Sequence, residues 1–284
     1  LLTGISVGGQ YALIAIGYTM VYGILRLINF AHGDIFTAAG FFMVYLAAAL
    51  PLTVSIPLVI VLTVLLGFTV ERIAYKPLRN APRMSVMISA IGASYLLQNL
   101  MWYLTSGLAK QYPALPFISN SIQVFDASTK VVTVITPVIT LALVIALVML
   151  INHTKTGMAM RAVSKDFETA KLMGIKINRV ISMTFVIGSF LAAIGSMLYF
   201  SNYTTVTPTI GAMPGLKAFV AAVFGGIGSI PGAVIGAFLI GICESLIKMI
   251  GLTEFSDAFT FALLIVILIF KPCGLFGEKT TEKV

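Results

Sequence analysis

Long apolar runs broken by short polar stretches make up most of this chain. The runs fall at about 1–25, 35–50, 56–70, 86–104, 132–151, 180–200, 216–224, 233–250 and 259–270. Crossing a hydrocarbon core of about 30 Å takes about 20 apolar residues in a helix. Most of these runs are long enough, and they are far longer than the alternating segments of a membrane barrel. The pattern therefore predicts a bundle of helices that cross a membrane. The run at 216–224 is short and reads as a half-helix or re-entrant segment, so eight to nine spans are expected.

Two interruptions stand out, RLINFAHGD at 26–34 and GGIGSIPG at 225–232. Irregular backbone at membrane depth survives only where protein or a watery cavity surrounds it. Transporters often run their substrate past such broken helices. The other reading is a tight turn between two helices near the surface. Small residues recur at helical spacing, in Gly4 and Gly8 and in Gly228, Gly232 and Gly236, where they let helices approach closely. Ser229 ahead of Pro231 reads as an N-cap with proline in the first turn, starting the eighth helix.

Composition agrees with the membrane reading. Of 284 residues, 59% are hydrophobic and only 10% charged, and mean hydropathy is +1.04. Soluble domains carry about 25% charged residues, so this chain lacks the charge to cover itself against water. The net charge of +8 is concentrated in 72–83 and 155–179. Short loops rich in Lys and Arg stay in the cytoplasm, so both basic loops are expected there. The fourth and fifth runs separate them, which closes the topology. If the seventh and eighth runs both cross, the tail after Lys271 is cytoplasmic and Leu1 lies outside. No basic groove with interleaved aromatics appears, which disfavours nucleic-acid binding. Cys243 and Cys273 have no metal-ligand spacing, and nothing argues for a disulfide. The chain opens on Leu rather than Met, so a few preceding residues are expected, and the opening run shows no signal-peptide pattern.

Polar groups inside the runs need a reason, because a charge at bilayer depth costs about 2.5–3.5 kcal/mol on insertion scales. His32 and Asp34 either shape a gate or cap the second helix, and Asn29 is similar. Glu244 and Lys248 stand four apart and can pair. Lys217 is expected to snorkel to the interface. Gln98 and Asn99 are expected to hydrogen-bond between helices. His153 borders a polar loop and is expected to be solvated. No Ser/His/Asp, Cys/His or metal constellation is visible, so hydrolytic chemistry is not expected.

The polar patch at 152–179 carries Lys155, Arg161, Lys165, Lys171, Lys176 and Arg179 against Asp166 and Glu168. Ser164 is the candidate N-cap, with the two acids in the first turn, Lys171 in the last and Gly174 at C′. The spacing predicts one helix over about 165–173. Val163, Phe167, Ala170 and Met173 would share a face able to lie on the bundle or enter a partner's groove, the other reading being a surface helix lying on the membrane.

These residues also reach a known family. YALIAIGYTMVYGILRLINFAHGD (11–34), ERIAYKPLR (71–79), ISAIGASYLLQN (88–99), MRAVSKDFETAKLMGI (160–175), KAFVAAVFGGIGSIPGAVIG (217–236) and KPCGLFG (271–277) occur in order along the chain. Together they make it resemble the permease subunit of ABC importers for branched-chain or other hydrophobic amino acids. The resemblance implies one all-α polytopic transmembrane domain over 1–284, with a cytoplasmic coupling helix. It implies two ATPase subunits that bind ATP and Mg²⁺, a second related permease subunit, and an extracytoplasmic substrate-binding protein that delivers a small amino acid. It also implies a multi-pass location in a bacterial inner membrane. Glu168, Ala170 and Gly174 match a degenerate form of the loop by which such permeases meet their ATPases, with Thr169 where a second Ala is commonest. The coupling set is then Ser164, Asp166, Phe167, Glu168, Ala170, Lys171 and Gly174. Asn29, His32, Asp34, Gln98, Gly225 and Gly228 are the candidate path residues. The chain has no GxxxxGK[ST] loop to cradle a phosphate, so no cofactor is expected on it and any ATP must be held by another subunit. A related permease for urea, short amides or sugars, or a stand-alone channel or ion-coupled carrier, are the other readings.

Overall fold

The computed structural model describes residues 1–79, 81–116, 118–124, 127–271 and 273–277. Helix α1 (Leu2–Leu25) is followed by α2 (His32–Ala49) and α3 (Leu52–Val70). A wide turn (Glu71–Tyr75) and a tight one (Lys76–Leu78) extend α3 before α4 (Arg83–Thr105). Short strands β1 (Lys110–Gln111), β2 (Ser121–Val124) and β3 (Ala127–Lys130) lead to α5 (Val131–His153). Then come α6 (Lys155–Lys165), α7 (Phe167–Leu172) and α8 (Ile177–Asn202). Strand β4 (Thr205–Val206), α9 (Ala212–Gly225), α10 (Ile230–Met249) and α11 (Ser256–Phe270) complete the order.

Among the described residues, eight helices are long and apolar enough to cross a membrane: α1 to α5, α8, α10, and α11 with its preceding turn. The protein is an all-α multi-pass membrane protein. Helix α9 has 14 residues and at 1.5 Å per residue reaches only about 21 Å. It is a half-helix, as its short apolar run predicts.

Helix α1 is the axis of the bundle. Nearly every side chain from Gly4 to Ile24 is buried, including Ser6, Gln10 and Thr19. It packs against α5, α8, α9 and α10. Its glycines explain the close approach to α10: a Cβ on Gly8 would lie 2.7 Å from the Cα of Phe238. Thr140 of α5 donates to the Gly9 carbonyl at 3.2 Å.

The second interruption is shorter than its sequence suggests. Gly225 closes α9, and Ile230 already opens α10. Only 226–229 turn between them, with Gly226 at φ +107°, where an L side chain would be strained. Ser229 Oγ accepts from the Gly232 amide at 3.3 Å, the cap expected there. The tail folds back so that Leu275 and Phe276 amides donate to the Phe224 and Gly225 carbonyls at 2.9 and 3.0 Å. These are end-of-helix carbonyls that would otherwise lack partners.

One charged cluster ties four helices together. Glu244 of α10 accepts from Lys217 of α9 at 2.9 Å, from Lys248 at 2.6 Å and from the Tyr11 hydroxyl of α1 at 2.9 Å. Lys217 also pairs with Asp257 of α11 at 2.6 Å. The Glu244–Lys248 pairing expected from spacing is present. Lys217 is buried rather than snorkelling, because two carboxylates meet its ammonium inside the bundle. The two ends of the bundle differ. At one, β1 pairs with β4 and β2 with β3, both antiparallel. At the other, the two basic loops meet, as a topology with both on one side requires.

Candidate functional site

The basic patch is built differently from the single helix expected over 165–173. Thr154 caps α6 by accepting from the Gly157 amide at 3.1 Å. Helix α6 ends at Lys165, and Asp166 swings to extended backbone (φ −153°, ψ 118°). Its carboxylate then caps α7, accepting from the Glu168 and Thr169 amides at 2.9 and 3.3 Å and from the Thr169 hydroxyl at 2.5 Å. A carboxylate that satisfies two helix-end amides outcompetes a serine hydroxyl as cap. Ser164 instead donates to the Arg161 carbonyl within α6 at 2.9 Å. The Thr169 hydroxyl and these amides hold the Asp166 carboxyl below its ordinary value. Gly174 is at φ +81°, as a C′ glycine requires.

Val163, Phe167, Ala170 and Met173 therefore do not form one face. Val163 is buried under α6, and Ala170 is the buried residue of α7. Phe167, Leu172 and Met173 are exposed, Leu172 and Met173 at 87% and 79%. Glu168 and Lys171 are also exposed. Helix α7 thus presents an apolar and charged outer surface while resting on the bundle through Ala170.

Beside α7 lies a cleft of about 860 Å³. Phe167 and Lys171 of α7 line it, together with Lys76, Arg79 and Arg83 from the first basic loop and Lys176 and Arg179 from the second. Its floor is rigid. Buried Glu71 pairs with Arg79 and accepts from the Ser182 hydroxyl at 2.8 Å, and Arg79 also donates to Asn178. This joins the end of α3 to the start of α8.

The six candidate path residues fall into separate groups. Asp34 lies in the first turn of α2, yet it does not cap that helix. Its two oxygens accept from Ser94 at 2.5 Å and Gln98 at 2.9 Å, both on α4. Gln98 also reaches Ser94 at 3.3 Å, closing a three-residue network between α2 and α4. Asn29 accepts from the Tyr75 hydroxyl at 2.9 Å. His32 is inside α2, not in the interruption, and its ring meets Tyr18 edge-on at 5.0 Å. Gly225 packs against the α10 backbone at Gly232, whereas a Cβ on Gly228 would meet nothing within 4 Å among the described residues. Asn99 bonds the Tyr95 carbonyl of its own helix at 2.8 Å rather than a neighbouring helix. Ser94, Tyr75 and Tyr11 were not singled out from sequence. Ser94 could have been, since it stands one turn before Gln98. Tyr75 and Tyr11 find their partners 46 and 233 residues away, which no local pattern reveals.

The fold and these features define a polytopic membrane protein with an exposed helical element beside a basic cleft. Sequence comparison gives the family. The family described as branched-chain amino acid transport system / permease component matches residues 1–268. The chain is 42% identical over 297 residues to the high-affinity branched-chain amino acid transport system permease protein LivH of Escherichia coli (strain K12), spanning 99% of this chain and 96% of that protein. It is 39% identical over 298 residues to the corresponding permease BraD of Pseudomonas aeruginosa, spanning 100% and 97%. The chain belongs to this family of permease components. Among the described residues, no group of three or more His, Cys, Asp or Glu could hold a metal ion.

Proposed function

We propose that this chain is the membrane-spanning permease subunit of an ATP-driven importer of branched-chain or other hydrophobic amino acids. It would sit in a bacterial inner membrane. An extracytoplasmic binding protein would deliver the amino acid, and a second permease subunit would complete the path. Separate ATPase subunits would hold ATP and Mg²⁺.

The observation that carries the reading is the exposed α7. A six-residue helix with a carboxylate cap and a C′ glycine keeps its shape with few contacts to the bundle. Its outer residues, Phe167, Glu168, Lys171 and Leu172, are free to enter a groove on an ATPase. Closure of two ATPases would drag α7, and Ala170 would pass the motion to α8. Rigid-body rocking of the spans then exposes the path to alternate sides. The amide–carboxylate network at Asp34 joins two of those spans and would shear or hold as they move.

The test is recovery of an ATPase with the tagged chain from its own membranes in mild detergent, read by mass spectrometry. The wild-type chain should retain it, and Glu168→Arg or Gly174→Leu should release it. Recovery of a chain that moves solute in liposomes without any ATPase would overturn the reading.

A further inference from the structure

We propose that the outward stripe of α4, made by Ile88, Gly92, Tyr95, Asn99 and Trp102, is the seam on which this chain packs against a membrane helix of a second permease subunit. The proposal rests on the importer reading above and adds the surface and its chemistry.

These positions recur at steps of three and four, so they share one helix face. That face turns away from the bundle: the buried side of α4 is Val86, Ala90, Leu97 and Met101. Helix α5 is equally exposed, yet mean hydropathy falls from 2.9 for α5 to 1.3 for α4. The outward residues of α5, Val138, Leu141, Ile145 and Met149, suit lipid tails. Those of α4 do not. Tyr95 is 62% exposed, one residue from the middle of the helix and so about 1.5 Å from its midpoint. Tyrosine ordinarily sits at the membrane interfaces, where its hydroxyl finds water. Among the described residues the Tyr95 hydroxyl has no hydrogen-bond partner. Asn99, about 7.5 Å from the midpoint, is exposed too; its amide nitrogen is used on its own helix, and among the described residues its oxygen accepts no hydrogen bond.

Lipid leaves both groups unsatisfied at a depth where each costs free energy. A neighbouring helix does not. Gly92 supplies the close approach, since nothing among the described residues lies within 4 Å of where its Cβ would be. The partner helix would place a small residue opposite Gly92 and hydrogen-bonding side chains level with Tyr95 and Asn99. The stripe carries no charge, and Ile88 and Trp102 bracket the polar pair, which is the composition of a packed seam rather than of a water channel. Ser94 and Gln98 lie beside the stripe on the same helix, so the Asp34 network would sit at the edge of the seam.

The experiment uses the assembled transporter in its own membranes, with benzoylphenylalanine placed at Tyr95 or Trp102, or at Val138 and Ile145 as controls. Light should give an adduct with the second permease subunit, identified by mass, from the α4 positions and not from α5. In parallel, Gly92→Leu should cut the yield of paired permeases at least tenfold. It should leave the melting of the isolated chain unchanged, because the leucine meets open space within the chain. Adducts from α5 alone, lipid adducts from α4, or pairing undiminished by Gly92→Leu would each overturn the proposal. So would aqueous maleimide labelling of Asn99→Cys in the assembled complex, which would make the stripe a water path. If the wild-type chain recovers no second permease, the importer reading fails first and takes the seam with it.

Discussion

At the scale of single residues, two carboxylates do different work in similar positions. Asp166 and Asp34 both stand at or near a helix N-terminus, but only Asp166 caps. Asp166→Ala should raise hydrogen exchange at the Glu168 and Thr169 amides several-fold and lower substrate-stimulated ATP hydrolysis. Asp166→Asn, which keeps a cap-competent oxygen, should largely spare both. The Asp166 carboxyl is depressed in the folded state. Its contribution is therefore fully present above the ordinary aspartate value of about 3.9 and lost as pH falls through the lower folded value. Carboxyl NMR should place its midpoint below that value; a midpoint at or above it would mean that the cap does not form in solution. Asp34 spends its oxygens on α4 instead. Asp34→Leu would strand Gln98 and Ser94 and cost about 1–3 kcal/mol, whereas Asp34→Asn retains an acceptor. Thermal unfolding in detergent and uptake should both rank Leu well below Asn.

At the scale of elements, the spans were legible because each is a long apolar run that had to satisfy its own backbone in lipid. All eight long helices begin and end within a few residues of their runs. The basic patch was less legible. Ser164 and Asp166 are both good caps two residues apart, and only the backbone turn at Asp166 decides that α6 ends and α7 begins. The candidate path was legible as a set of residue types but not as a place. Gln98 and Asp34 meet because α2 and α4 pack together, a long-range fact, while Asn99 next door turns back onto its own helix. Close helix approach makes a further prediction. Gly8→Leu would push α10 off α1, a small-to-large change costing about 1–3 kcal/mol. Gly23→Ala, whose Cβ would sit 3.7 Å from Gly228, should be nearly silent. Equal loss of thermal stability in the two variants would sink this account of the α1–α10 contact.

At the scale of the whole molecule, one buried acid adds a polar link between α1 and three helices of the C-terminal third, of which α9 and α10 also pack on α1 directly. Glu244 takes hydrogen bonds from α1, α9 and its own helix, and through Lys217 it is linked to α11. Glu244→Leu leaves Lys217 to the half-exposed Asp257 alone and strands a buried cation. Breaking a buried pair on one side costs about 3–5 kcal/mol. Removing both charges, with Glu244→Leu and Lys217→Leu together, should recover part of that loss in a detergent melting assay. No recovery would mean that the cluster acts through packing and not through charge.

The burial of α1 also sets a problem for synthesis. It precedes every one of its main neighbours, α5, α8, α9 and α10, in the chain. Ser6, Gln10 and Thr19 are buried only because those later helices surround them. At about 5–20 residues per second, the ribosome needs on the order of ten seconds to go from α1 to α5. During that wait α1 is a poor tenant of lipid, so the insertion machinery or a transient companion helix has to shelter it. A chain stalled before α5 would be recognised as unfinished by its first helix rather than by its last.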